Sequence, residues 1–242
     1  MPPNPDEPAP GAQPPRPAMS ELALRVMSGA AMAVIAVLLT INGGVLFALF
    51  WLAAGAVVFW EWFNLVSSAE PRERWLAAGA IYAGAAALCP ILLRSDADYG
   101  LVAMFFLFAV VWLTDVVAYF VGRFVGGPKL WPSVSPNKTW SGALGGLAGA
   151  IFGAFLVASF AALSHFAMAA LAVVLSSASQ AGDLFESHLK RRFGVKDASH
   201  IIPGHGGVMD RLDGFIFAAA LATLIGFARG GWSQPGRGLL EW

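Results

Sequence analysis

Residues 100–121 read GLVAMFFLFAVVWLTDVVAYFV, and Asp115 is the only charged residue among them. A bilayer's hydrocarbon core, about 30 Å thick, takes roughly 20 apolar residues in helical form. The run is therefore read as a membrane-crossing helix. Working outward, similar runs stand at 23–41, 44–65, 75–93, 142–163, 166–186 and 213–229, separated by short polar breaks. The pattern predicts an all-α polytopic integral membrane protein with about seven transmembrane helices, in a range of six to nine. Composition agrees: 57% of residues are hydrophobic and 12% charged, about half the charge of an ordinary soluble domain. Asn42-Gly43-Gly44 predicts a tight turn between the first two spans. Gly142 and Gly146, then Gly149 and Gly153, have the four-residue spacing that lets helix backbones approach closely.

Three regions follow. Residues 1–20 form a proline-rich tail, expected to be disordered and lacking the basic-then-apolar pattern of a cleavable signal peptide. Residues 21–230 form a single transmembrane domain, and 231–242 a short C-terminal tail. Net charge is zero, so no overall field favours nucleic acid. Cys89 is the only cysteine and has no partner for an internal disulfide. With the N-terminus inside, seven spans put twelve of the fifteen Lys and Arg on one side and leave Arg94, Arg229 and Arg237 on the other. The positive-inside rule then turns the N-terminus and both large polar loops to the cytoplasm.

The charge that the chain does carry is concentrated. Residues 182–213, GDLFESHLKRRFGVKDASHIIPGHGGVMDRLD, hold three of the four histidines and five of the fifteen Lys and Arg. Exposed charges stabilise little and buried ones cost energy, so a site for something polyanionic is the better explanation. On helical spacing Asp183, Glu186, Ser187, Lys190 and Arg191 share one face. Pro203 with Gly204, Gly206 and Gly207 breaks regular structure, and such loops can aim backbone N–H groups at phosphate. His205 between glycines is read as a phosphate or nucleotide contact. Asp183, Asp210 and Asp213 supply the hard oxygen ligands that Mg²⁺ takes beside substrate phosphates. The histidines lack zinc-site spacing.

A second polar region spans 112–142. Asp115 lies within a membrane run, where a carboxylate is a functional candidate by default unless a cation on a neighbouring helix pairs with it. It shares a helix face with Tyr119 and Arg123. The stretch Ser133 to Thr139 is rich in hydroxyls, carries Lys138, and is kept non-helical by Pro132 and Pro136.

Ser187-x-Leu189-Lys190-Arg191, then Lys196-Asp197-x-Ser199, then Ile202-Pro203-x-His205-Gly206-Gly207-Val208-x-Asp210-Arg211-Leu212-Asp213 closely resembles the signature of the phosphatidate cytidylyltransferase (CDP-diacylglycerol synthase) family. Asp115-x-x-Ala118-Tyr119 and Ser135-Pro136-Asn137-Lys138-Thr139-Trp140-Ser141-Gly142 resemble two further motifs of that family, with Asn137 and Ser141 in place of the commoner Lys and Glu. The resemblance implies CTP and phosphatidic acid as substrates, CDP-diacylglycerol and pyrophosphate as products, and one or two Mg²⁺ ions held by Asp183, Asp210 and Asp213. It implies catalytic roles for those aspartates with Lys190 and Arg191. Substrate contacts would come from Asp115, Ser135, Lys138, Thr139, Ser187, Lys196, Arg211 and the 204–207 loop. A bacterial cytoplasmic (inner) membrane, contact with membrane lipid and a homodimer are also implied. The bottom-up reading leaves two other classes open: a CTP-dependent polyprenol kinase, whose alcohol acceptor would need a general base, and a transporter coupled through Asp115 and Asp183.

Overall fold

The computed structural model describes residues 21–202 and 206–242. In chain order its helices are α1 (Glu21–Asn42), α2 (Gly44–Leu65), α3 (Arg72–Arg94) and α4 (Gly100–Phe124). They continue as α5 (Trp140–Ala161), α6 (His165–Arg192), α7 (Met209–Gly230) and the short α8 (Pro235–Leu240). Between α4 and α5 lie two short strands, β1 (Lys129–Trp131) and β2 (Ser135–Thr139). Each apolar run expected from the sequence is a helix. Six of them, α2 to α7, are long and apolar enough to cross a membrane, whereas the described apolar part of α1 is the shorter Met27–Asn42. The chain is an all-α, multi-pass membrane protein.

Local chemistry sets the helix ends. Gly43 and Gly44 both take positive φ, 66° and 60°, which turns α1 into α2 within one residue. Thr139 caps α5 by accepting from the Gly142 N–H, and Ser164 caps α6 by accepting from Ala167. Two expectations change. The Ser133–Thr139 stretch, read as a non-helical loop, is part of an antiparallel hairpin pairing Lys129 with Thr139 and Trp131 with Ser135. Pro136, which has no N–H to give, is tolerated because the ribbon has only two strands. The 231–242 segment, read as a tail, carries α8, whose Leu239 and Leu240 are fully buried. The 1–20 tail lies outside the described residues.

Glycine governs the two helix crossings that matter for the site. A Cβ on Gly142 would stand 2.9 Å from the Ala118 carbonyl oxygen. One on Gly149 would be 2.6 Å from that of Leu113, and one on Gly153 3.1 Å from that of Ala109. The α5 glycine stripe therefore lies directly on the α4 backbone. At the second crossing, a Cβ on Gly182 would stand 2.7 Å from the Asp213 carbonyl oxygen, and one on Gly214 2.5 Å from Ser179 Oγ. Asp183 and Asp213 each neighbour one of these contact glycines in sequence, so the crossing that joins α6 to α7 also brings their carboxylates together. Elsewhere the core is aromatic and aliphatic, with Trp51 of α2 stacked on Phe215 of α7 at 5.0 Å.

Alternation of the spans sorts the charges to two ends. At one end, Arg94 donates to the Thr40 carbonyl (2.9 Å), Arg229 to that of Gly238 (2.6 Å), and the Arg237 N–H to Asp96 Oδ2 (2.9 Å). Both polar stretches lie at the other.

Candidate active site

A cleft of about 830 Å³ opens at that second end, lined by four cations, Arg123, Lys129, Lys138 and Arg211, and four carboxylates, Asp115, Asp183, Asp210 and Asp213. Its walls come from α4, the hairpin, α5, α6 and α7. The two polar stretches, separated by about 40 residues in sequence, thus form one site. Asp183 Oδ2 is ion-paired with Lys138 Nζ across the α6–β2 contact. Asp115 has Asp183, Lys138 and Arg211 as charged neighbours, so it belongs to the cleft's charge network rather than to a private pair. Asp213 has Asp183 and Glu186 as negative neighbours. Arg123 donates to the Tyr119 hydroxyl at 2.9 Å.

Asp210 is differently placed. Its Oδ1 accepts from Lys190 Nζ at 2.5 Å, and its Oδ2 accepts from Gly207 N at 2.7 Å and Ala198 N at 3.0 Å. Lys190 also contacts Glu186 Oε2 at 3.0 Å, so it is buried between two carboxylates. Those contacts hold the α6–α7 loop against the start of α7. The Gly207 N–H, expected to face phosphate, is occupied by Asp210. Gly206 has φ +83°, and a Cβ there would stand 2.8 Å from Asp210 Oδ2, so glycine is required.

The remaining expected residues divide. Thr139 lines the cleft with Lys138. Ser135 faces Trp131 in the hairpin. Ser187 is half-buried on α6, and neither it nor Ser135 is a lining residue. Arg191 is exposed and donates to the Val195 carbonyl at 3.0 Å, and Lys196 is exposed in the same loop. Gly204 and His205 lie outside the described residues. Among the described residues no three Asp, Glu, His or Cys side chains close into a preformed metal cage.

Sequence reasoning gave no role to Lys129 or Gln180, which line the cleft, nor to Glu61. Glu61, on α2, is fully buried. Its Oε1 accepts from Ser199 Oγ (2.5 Å) and Val208 N (2.9 Å), and its Oε2 from Met209 N (2.6 Å). The available signal was a lone carboxylate in the apolar run VVFWEWFNL, the same feature that drew attention to Asp115.

Residues 71–228 match the model of the Cytidylyltransferase family, and that stretch holds every cleft-lining residue. The chain belongs to the cytidylyltransferase family. This cytidylyltransferase-family chain is 49% identical over 203 residues to a protein named phosphatidate cytidylyltransferase from Brucella abortus biovar 1 (strain 9-941), covering 84% of this chain and 73% of that one. It has the same identity and coverage to one of that name from Brucella suis biovar 1. A third, from Staphylococcus haemolyticus, is 44% identical over 134 residues, covering 54% of this chain and 50% of that one.

Proposed function

We propose that this protein is a CTP:phosphatidate cytidylyltransferase, making CDP-diacylglycerol and pyrophosphate from CTP and phosphatidic acid. The observation that carries the reading is the meeting of Asp115, Lys138, Asp183, Arg211 and Asp213 in one cleft, in a chain whose relatives bear that name.

The chemistry suits the residues. The attacking group is a phosphate oxygen of the lipid, already an anion at neutral pH, so no side chain needs to remove a proton from it. Its oxygen bonds to the α-phosphorus of CTP while the bond to the β-phosphate bridging oxygen breaks and pyrophosphate leaves. The barrier is repulsion between two anions, which positioning and fixed positive charge lower. Arg123, Lys129, Lys138 and Arg211 supply that charge from four points around the cleft. Lys138 would move from Asp183 to a phosphate oxygen as the nucleotide enters, leaving the Asp183 carboxylate open.

That carboxylate and Asp213 are the residues to hold Mg²⁺. Two neighbouring carboxylates at the cleft surface, with the buried Glu186 Oε1 lacking any donor, make a donor set short of positive charge, as a hard cation requires. When bound, Mg²⁺ would neutralise charge on the substrate phosphates. Asp210 serves the pair by anchoring the loop. Exposed Tyr119, Trp131 and Trp140 near the cleft suit the headgroup level of a bilayer, from which phosphatidate would arrive. The twelve-to-three charge bias supports a cytoplasm-facing cleft in the bacterial inner membrane, where CTP is available. Assembly as a homodimer is retained from the family resemblance.

The test is purified protein in detergent–phosphatidate mixed micelles with labelled CTP, with and without Mg²⁺. Label is expected in lipid-soluble CDP-diacylglycerol only when phosphatidate and metal are both present. Phosphorylation of an added polyprenol, with no CDP-lipid, would overturn the reading in favour of a kinase.

A further inference from the structure

We infer that Glu61 is a positioning residue for the transfer reaction: its carboxylate, projecting from α2, is the N-terminal cap of α7 and sets where Arg211 and Asp213 stand in the cleft. The inference rests on the activity proposed above and goes beyond it. Glu61 precedes the family-matched residues 71–228 and does not line the cleft.

The first N–H groups of a helix have no partner within it and carry partial positive charge. The residue at the cap position of α7 is Val208, which has no side-chain acceptor. Glu61 fills that role from another helix, accepting from the Val208 and Met209 N–H groups. The same carboxylate accepts from the Ser199 hydroxyl, so one buried group ties α2, the α6–α7 loop and the start of α7 together. Gly207 is fitted to it: a Cβ there would stand 2.4 Å from Glu61 Oε1. Asp210, Arg211 and Asp213 follow within two turns of the capped end. Any slip of α7 would therefore carry all three, and a 1 Å misplacement can cost about a hundredfold in rate.

Three donors meet the two carboxylate oxygens. In Glu61→Gln one oxygen becomes an NH₂, so one of the two helix N–H groups loses its acceptor and meets a donor while volume is kept. Turnover per folded enzyme is expected to fall roughly 10- to 100-fold, as for groups that orient reacting ligands, with the KM for CTP within about twofold of wild type. The decisive variant pair uses the fit at Gly207. Gly207→Ala pushes on the carboxylate and should itself lower kcat. Glu61→Asp withdraws the carboxylate by one C–C bond, about 1.5 Å, and makes room for the added methyl. The double variant Glu61→Asp/Gly207→Ala should then have a higher kcat per folded enzyme than Gly207→Ala alone, a readout that a change in the folded fraction does not move. A Glu61→Gln protein with wild-type kcat and only a lower melting temperature would overturn the inference. So would a double variant whose kcat per folded enzyme is no higher than that of Gly207→Ala alone. Absence of CDP-diacylglycerol from the wild-type protein would instead strike the activity reading beneath it.

Discussion

Lys190 separates a sequence-based expectation from a structural one. Read from the motif, it is a cation for substrate phosphate. In the fold it is buried between Glu186 Oε2 at 3.0 Å and Asp210 Oδ1 at 2.5 Å, with side-chain exposures of 11%, 1% and 3% for Lys190, Glu186 and Asp210. Lys190→Met keeps most of the volume and removes the charge, leaving two carboxylates to repel each other with little water to screen them. Removing one partner of a buried pair costs about 3–5 kcal/mol. For a chain of this size each kcal/mol moves the melting point by about 2–4 °C, so a fall of roughly 10 °C is expected. Adding Glu186→Gln removes one of the stranded charges and should return part of that loss. Arg191→Met, at the exposed neighbouring position, should stay within about 0.5 kcal/mol of wild type. The assay is thermal unfolding in detergent, with kcat and KM for CTP measured on the folded fraction. A Lys190→Met protein that melts within about 2 °C of wild type while its KM for CTP rises tenfold would refute the reasoning and return Lys190 to substrate binding.

Three further outcomes follow from the cleft and its supports. Asp213→Asn should reduce turnover by at least about a thousandfold by the logic of a lost charge-stabilising ligand, while the protein still elutes as a folded particle on size exclusion. Lys138→Met removes a cleft cation whose pair with Asp183 is about one-third exposed, side-chain values 30% and 34%. Its melting point should barely move, since exposed pairs are worth about 0–1 kcal/mol, while steady-state kinetics should show the KM for CTP rising about tenfold or more. Gly149→Leu should fail to fold or melt far lower, because even its Cβ would stand 2.6 Å from the Leu113 carbonyl oxygen. Gly84→Ala, with nothing within 4 Å, should be neutral or stabilising when both are compared by thermal unfolding.

The spans were legible because the bilayer enforces one rule on every residue of a run, and that rule is local: length and apolarity suffice. Asp115, Lys138, Asp183 and Asp213 were legible for the converse reason, since a charge in an apolar chain needs an explanation wherever it sits. Pairing was not legible. Asp183 meets Lys138 only across the contact of α6 with β2, and no spacing within either stretch states that geometry. The hairpin was missed because Pro132 and Pro136 argue against a helix without saying what replaces it. Glu61 was missed although its signal matched that of Asp115. Two of its three donors are backbone N–H groups, which carry no sequence identity at all.

That last point explains why a dense motif cannot be read as a list of reactive groups. Between Ser187 and Asp213, Lys190 and Asp210 bond to each other, Gly207 donates to Asp210, and Ser199 donates to Glu61. Each of these residues has the right chemistry for phosphate or metal, and each has that chemistry already engaged by a neighbour. Among the described residues of that stretch, Asp213 and Arg211, on the next turn, line the cleft beside Asp210. A cleft that must accept a triphosphate cannot use its own backbone as a flexible cradle without losing the register of its aspartates. Fixing the loop with buried carboxylates, Asp210 from within and Glu61 from α2, lets α7 present Arg211 and Asp213 at a set height against Asp183. On this account, substitutions in the signature should fall into two groups by assay. Loop-holding residues should lower both melting point and kcat, and cleft residues should lower kcat or raise KM with the melting point unchanged.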